Sequence, residues 1–148
     1  MNHSLVAHLE SHLGLIGNGW GTKTDSAERG FQIVDFPQNK IPDVTVLSTL
    51  GLSNHELHSG TSGKNIRQEL FVMLDDINLL GRCAGILDQI GKERIRTRHA
   101  VLRGETISKP GLVFPDYPFV AMYATNPVYY PKSLWSFDDQ QRGGIALC

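Results

Sequence analysis

His55-Glu56-Leu57-His58 gathers two imidazoles and a carboxylate in one short stretch, the residue types of a zinc site. A zinc hydrolase places its two histidines at i and i+4 on one helix face, with the glutamate beside the metal. Here they stand at i and i+3 in a stretch rich in Gly and Ser, so no metal ligation is expected. Gly60-Thr61-Ser62-Gly63-Lys64-Asn65 has the composition of a phosphate loop. Its glycines are too close, no hydroxyl residue follows the Lys to reach magnesium, and a strand is expected after it where a helix is needed. Gly17-Asn18-Gly19-Trp20-Gly21 lacks the glycine spacing and the preceding strand of a dinucleotide-binding turn. No serine occupies a nucleophile elbow. Cys83 falls in an apolar helical pattern, where a thiol is inert core.

Four further groups carry two readings each. Glu69 is the acidic residue of an otherwise apolar strand-like stretch, residues 67–74. It can be a catalytic carboxylate, or a structural one paired with Arg67 or a backbone group; the structural reading is preferred, because a buried carboxylate needs partners. His99 is isolated and is expected to be a hydrogen-bonded structural histidine. Trp20 and Trp135 can anchor an interface or fill the core. Asp138 and Asp139, with Asp116 and flanked by Trp135, Phe137 and Tyr117, form a candidate partner-binding patch, against a solvated turn. An acidic patch of this kind would suit a basic partner such as a nuclease toxin. No complete catalytic constellation emerges, so the expectation is a chain that is not an enzyme and needs no cofactor. The alternative is a small hydrolase or metal-dependent enzyme using the 51–65 loop.

The elements that must position these groups are legible in the hydrophobic pattern. Leu5, Leu9, Leu13 and Ile16 recur at helical spacing, with Ser4 as a candidate N-cap and Gly14 and Gly17 as stops. Residues 31–36 read as a strand, Phe31 and Ile33 on one face and Val34 and Phe36 on the other. Residues 44–50, rich in β-branched side chains, read as a second strand pairing with the first as a hairpin. Residues 17–22 and 51–65 read as loops, and residues 67–74 as a third strand buried on both faces. Asp75 or Asp76 can cap a long helix whose apolar half carries Ile77, Leu80, Cys83, Ala84, Leu87 and Ile90. Arg94 would point into that apolar half, which predicts an end near Gly91. Strands are expected at 119–125, 128–130 and from 145 onward. The order predicts a mixed-sheet α/β (α+β) fold.

The 148 residues suit one domain spanning 1–148, and folding should bury about 70% of the surface of the unfolded chain. Hydrophobic residues are 41% and charged residues 20% of the chain, ordinary for a globular protein. The net charge of -1 and the lack of a dense Lys/Arg run argue against a nucleic-acid partner. Two cysteines make no disulfide framework. The first residues lack the basic and apolar regions of a signal peptide, and no apolar run reaches the ~20 residues of a membrane span. A cytoplasmic protein with no membrane partner is expected.

Val44-Thr45-Val46-Leu47-Ser48-Thr49-Leu50-Gly51-Leu52-Ser53 resembles the hallmark turn of the Suppressor of fused family, and Arg67-Gln68-Glu69-Leu70-Phe71 resembles its Glu-Leu strand. The strand before Pro37 and the long helix after residue 75 fit the same family. The resemblance runs from about residue 28 to the 111–118 region. It implies a mixed α/β fold, a structural motif of Thr49, Gly51, Ser53, Arg67 and Glu69, and a protein-binding role. In animals the family member is a cytoplasmic negative regulator of Hedgehog signalling that binds a transcription factor. It is far longer, with a second, C-terminal domain. Small bacterial relatives resemble immunity proteins that neutralise a cognate toxin domain by binding it. Such relatives continue with a further strand and an acidic helix, so the chain is expected to lack that tail. An uncovered, uncharged C-terminal strand would then offer an edge for a homodimer, with Cys148 at its end. Elemental analysis of protein purified without added metal should find no stoichiometric zinc or iron; finding either would contradict the reading of His55 and His58.

Overall fold

A computed structural model describes residues 3–20, 30–38, 41–108, 121–139 and 143–148. The first helix, α1 (His3–Leu13), buries Leu5, Leu9 and Leu13 along one side. Ser4 lies within its first turn and is not the cap. Gly14, at φ 90°, closes the helix with its amide on the Glu10 carbonyl, and a left-handed residue there favours glycine.

The expected loop at 17–22 contains a short strand, β1 (Gly19–Trp20), antiparallel to β2 (Gln32–Phe36). Buried Asp35 is the reason. Its carboxylate accepts the Asn18 amide at 2.7 Å and the Trp20 indole N–H at 3.3 Å, and its backbone bonds Gly17 and Asn18. The polar segment is thereby held in strand register.

β2 pairs antiparallel with β3 (Thr45–Leu50), and β3 with β6 (Phe71–Leu74), giving the order β1-β2-β3-β6. Strand alternation divides this sheet into two apolar faces. Ile33, Leu47, Val72 and Leu74 pack with Phe31 on the long helix. Val34, Phe36, Val46, Leu50, Phe71 and Met73 pack on α1 and on residues 130–147.

The single strand expected at 67–74 is two strands in two sheets. β5 (Asn65–Glu69) lies in a second sheet, ordered β4-β5-β10-β9, with β4 (Leu57–His58), β9 (Ser136–Asp139) and β10 (Gly143–Leu147). At Leu70 the chain steps from this sheet to β6. There the Thr49 amide reaches the Leu70 carbonyl at 2.8 Å, and the Leu70 amide reaches the Thr49 hydroxyl at 2.9 Å. β4 forms inside the expected 51–65 loop. A third, two-stranded sheet joins β7 (Thr106–Ser108) to β8 (Ala121–Tyr123); of the strand expected at 119–125, residues 119–120 lie outside the described residues and Ala124 and Thr125 are not in the strand.

The long helix, α2 (Leu80–Thr97), follows a 3-10 turn, Ile77–Leu79, capped by the Asp76 carboxylate on the Asn78 amide. Ile77 belongs to that turn and is 73% exposed, so it is not core. The helix does not end near Gly91. Arg94 is tolerated because Glu105 meets its guanidinium at 2.6 Å and the Ala100 carbonyl at 3.3 Å. Residues 128–130 form a turn instead of a strand. The Tyr130 amide bonds the Pro127 carbonyl, and Val128 and Tyr129 stand exposed.

β10 is an interior strand, parallel to β5 and antiparallel to β9. The Cys148 amide bonds the Glu69 carbonyl, and its carbonyl accepts the Phe71 amide. The C-terminal residues therefore offer no open edge, and the dimer route through them falls. Among the described residues, no helix is long and apolar enough to cross a membrane.

Gly91 is buried, and a Cβ there would lie 2.3 Å from the Phe31 ring. A Cβ at Gly85 would meet nothing within 4 Å. Gly91→Ala should therefore destabilise the fold by about 1–3 kcal/mol through overpacking, whereas Gly85→Ala should stabilise it by up to about 1 kcal/mol through helix propensity. Denaturant unfolding of both variants decides this; a stabilising Gly91→Ala would show that Phe31 can yield.

Candidate functional site

The turn after β3 is built around one carboxylate. Leu50 ends the strand, and Gly51 takes φ 105°, a conformation that side chains rarely adopt. Leu52–Asn54 then make a 3-10 turn, with the Leu52 and Ser53 amides directed inward and the Asn54 amide on the Gly51 carbonyl. Glu69, at the end of β5, is wholly buried beneath it. One carboxylate oxygen accepts the Thr49 hydroxyl at 2.8 Å and the Leu52 amide at 3.1 Å. The other accepts the Gly51 amide at 3.0 Å, the Ser53 amide at 3.1 Å and the Ser53 hydroxyl at 2.6 Å.

All of these neighbours donate, which is the surrounding an ionised, acceptor-only carboxylate needs. Burial pushes the Glu69 carboxyl above its ordinary range, and the bonds from Ser53, Thr49 and the Gly51 and Ser53 amides pull it back. Its roughly four acceptor positions are filled by protein groups. The carboxylate is enclosed and saturated, so it acts as a clasp.

Arg67 does not pair with Glu69. Its guanidinium donates to the Ser53 and Asn54 carbonyls at 3.1 and 3.3 Å, holding the same turn from its outer side, and lies 3.8 Å from Glu56. Thr49, Gly51, Ser53, Arg67 and Glu69 are thus brought into one cluster.

Between Arg67 and Glu69, buried Gln68 exchanges two hydrogen bonds with the backbone of Val101, at 2.9 and 2.7 Å. Sequence reasoning missed it, as it missed Asp35. Asp35 is a polar residue in the otherwise apolar run 33–36, the same signal that marked Glu69, whereas Gln68, between Arg67 and Glu69, carries no such signal.

The 51–65 stretch sends its two histidines to separate partners. His55 bonds the Gly30 carbonyl, and His58 lies in β4 with Asn65 beside it. Among the described residues, no group of three His, Cys, Asp or Glu side chains could hold a metal ion. Burial pushes the Cys83 thiol up to about 11, with the Arg82 charge opposing it, far from the thiolate a reactive cysteine needs. His99 is exposed and forms an isolated bridge with His58.

Of the candidate acidic patch, Trp135, Phe137 and Asp138 are described with their side chains. Trp135 is half-buried, its indole N–H on the Pro127 carbonyl at 3.0 Å, with the Lys132 ammonium 5.7 Å from its ring. Phe137 packs inward with it against the α1-side core. Asp138 is exposed on the opposite side of β9, as strand alternation requires. Asp116, Tyr117 and the Asp139 side chain lie outside the described residues.

Glu69→Gln keeps the shape but turns an NH2 group toward amide and hydroxyl donors. It should cost on the order of 3 kcal/mol, the scale for breaking a buried charged network. Urea unfolding at neutral pH checks this, and a loss below about 0.5 kcal/mol, the scale of ordinary surface substitutions, would contradict the clasp.

The chain's fold has a counterpart in a crystal structure of a Suppressor of fused homolog from Neisseria gonorrhoeae, with a TM-score of 0.72. The two are 15% identical, and the match covers 99% of this chain and 74% of that one. At that identity the likeness concerns the fold. No curated protein matches the chain. The Suppressor of fused protein (SUFU) family matches residues 27–143, a span that holds the Thr49–Ser53 turn, Arg67 and Glu69. The chain therefore belongs to the Suppressor of fused family.

Proposed function

We propose that the chain is a protein-binding module of the immunity type, which neutralises a cognate toxin in the cytoplasm by binding it, and that it is not an enzyme. Membership of the Suppressor of fused family supports a protein-interaction role. The observation that carries the reading is the state of Glu69. The most deeply buried carboxylate at the family turn spends its acceptor capacity on Thr49, Gly51, Leu52 and Ser53. It is placed to hold a surface in shape, and a general base needs a free position within reach of a substrate proton. The histidines of the 51–65 stretch are likewise committed to Gly30 and Asn65, which gives the hydrolase alternative no support.

A binding module needs a rigid scaffold under its exposed turns. The clasp supplies one by fixing the turn after β3 to β5. The test is genetic and biochemical. The gene adjacent to this one should encode a toxin, and co-expression of this chain should restore growth of cells producing that toxin and co-purify with it. Growth unaffected by the neighbouring product, or rescue without a complex, would contradict immunity by binding.

A further inference from the structure

The C-terminus of α2 ends against the mouth of the β4–β5 hairpin. The His58 amide bonds the Arg98 carbonyl at 2.7 Å, and the Ala100 amide bonds the His58 carbonyl at 2.9 Å. His58 and His99 form a bridge, and His58 opposes Asn65 in the hairpin. These straps set Arg98 and His99 beside His58, and the Lys64 carbonyl, which accepts the Ser59 amide at 2.8 Å, sets Lys64 next to them; Arg96 stands two residues back on α2, and all five side chains are exposed. Neighbouring cations on this face are spoken for: Lys92 pairs with Asp88 at 3.0 Å, Arg94 with Glu105 at 2.6 Å, and Arg67 with the turn carbonyls. Among the described residues, no ion pair engages Arg96, Arg98 or Lys64. Of the acidic residues near in sequence, Glu93 is exposed one turn earlier on α2, Glu56 faces Arg67, Glu69 is buried in its own turn and Glu105 meets Arg94. A chain with a net charge of -1 thus gathers a locally positive corner.

Cations in a last helical turn also favour the helix dipole, which accounts for Arg96 alone. Arg98 is different. It is the C-cap, at φ 60° and ψ 22°, a left-handed position where glycine is preferred and an L side chain is strained. The strain serves no packing, because the side chain is exposed. The left-handed backbone ends the helix and turns the Arg98 carbonyl to the His58 amide, a task glycine would do with less strain, and what arginine adds there is an exposed charge.

We infer that the corner formed by Arg96, Arg98 and Lys64 beside His58 and His99 is a docking surface for an acidic protein segment. Guanidinium groups suit carboxylates through charge-assisted hydrogen bonds. The inference rests on the protein-binding reading, and it names the partner's chemistry at one surface.

The probe is a synthetic all-glutamate peptide, with an oligonucleotide of matched charge beside it, titrated into the full chain at low and high salt. The peptide should bind, weaken with salt, and shift the amide resonances of Arg96, Arg98, Lys64 and His58. Arg98→Gly should raise the melting midpoint by a few degrees while weakening the peptide about two- to fivefold, the effect of losing one exposed charged contact. Arg96→Glu should weaken it further. A destabilised Arg98→Gly, unchanged peptide affinity, resonance shifts elsewhere, or preference for the oligonucleotide would each overturn the surface. The same variant offered to the neighbouring gene's product separates the two readings. Full-strength binding overturns this surface and leaves the binding module intact, whereas absence of any complex with wild-type chain removes the module itself.

Discussion

A single buried carboxylate holds the two sheets together. Glu69 closes β5, the central sheet's β3 runs into the turn that Glu69 grips, and Leu70 carries the chain from one sheet to the other. A carboxylate taken out of water costs several kcal/mol and survives only where donors replace its hydration shell. Here the turn after β3 supplies them, so the turn cannot open without leaving the charge bare. The conformation of Gly51, the inward amides of Leu52 and Ser53, the hydroxyl of Thr49 and the outer brace of Arg67 all follow from that requirement.

The neighbouring polar residues extend the same logic across the molecule. Gln68 ties β5 to the segment after α2 through Val101, and Asp35 ties β1 to β2. Arg94 and Glu105 tie α2 to the approach to β7. Each join is made by a polar side chain. The two apolar faces of the first sheet provide the bulk of the burial, while these joins decide which segments meet. Apolar burial is non-directional; hydrogen bonds with fixed geometry specify register.

Much of this was legible in residue order. Alternation along 31–36 assigned Phe31 and Ile33 to one face and Val34 and Phe36 to the other, and the structure places them in separate cores. The hairpin of β2 and β3 followed from the short turn between two β-rich runs. What escaped was long-range. The break at Leu70 has no local signal, because Glu69 and Phe71 read as one strand until the partners of each are known. β1 depends on Asp35, and the last turns of α2 depend on Glu105, both distant in sequence. An end near Gly91 was expected because Arg94 would enter the apolar half; Glu105 meets that cation, and Gly91 makes room for the ring of Phe31. The pairing of β10 with β5 joins residues that no local pattern connects. The turn and the Glu-Leu strand were legible as a motif, but their direct contact required the fold.

Native-state hydrogen exchange of the Gly51, Leu52 and Ser53 amides tests the clasp most directly. Amides in an ordinary exposed turn exchange through small local openings, whereas core amides wait for global unfolding. If Glu69 holds this turn, those three amides should show the protection of the β3 and β5 core amides and lose it together in Glu69→Gln. Exchange orders of magnitude faster than the strand amides in the wild-type chain would show that the turn opens independently and that the carboxylate does not join the sheets.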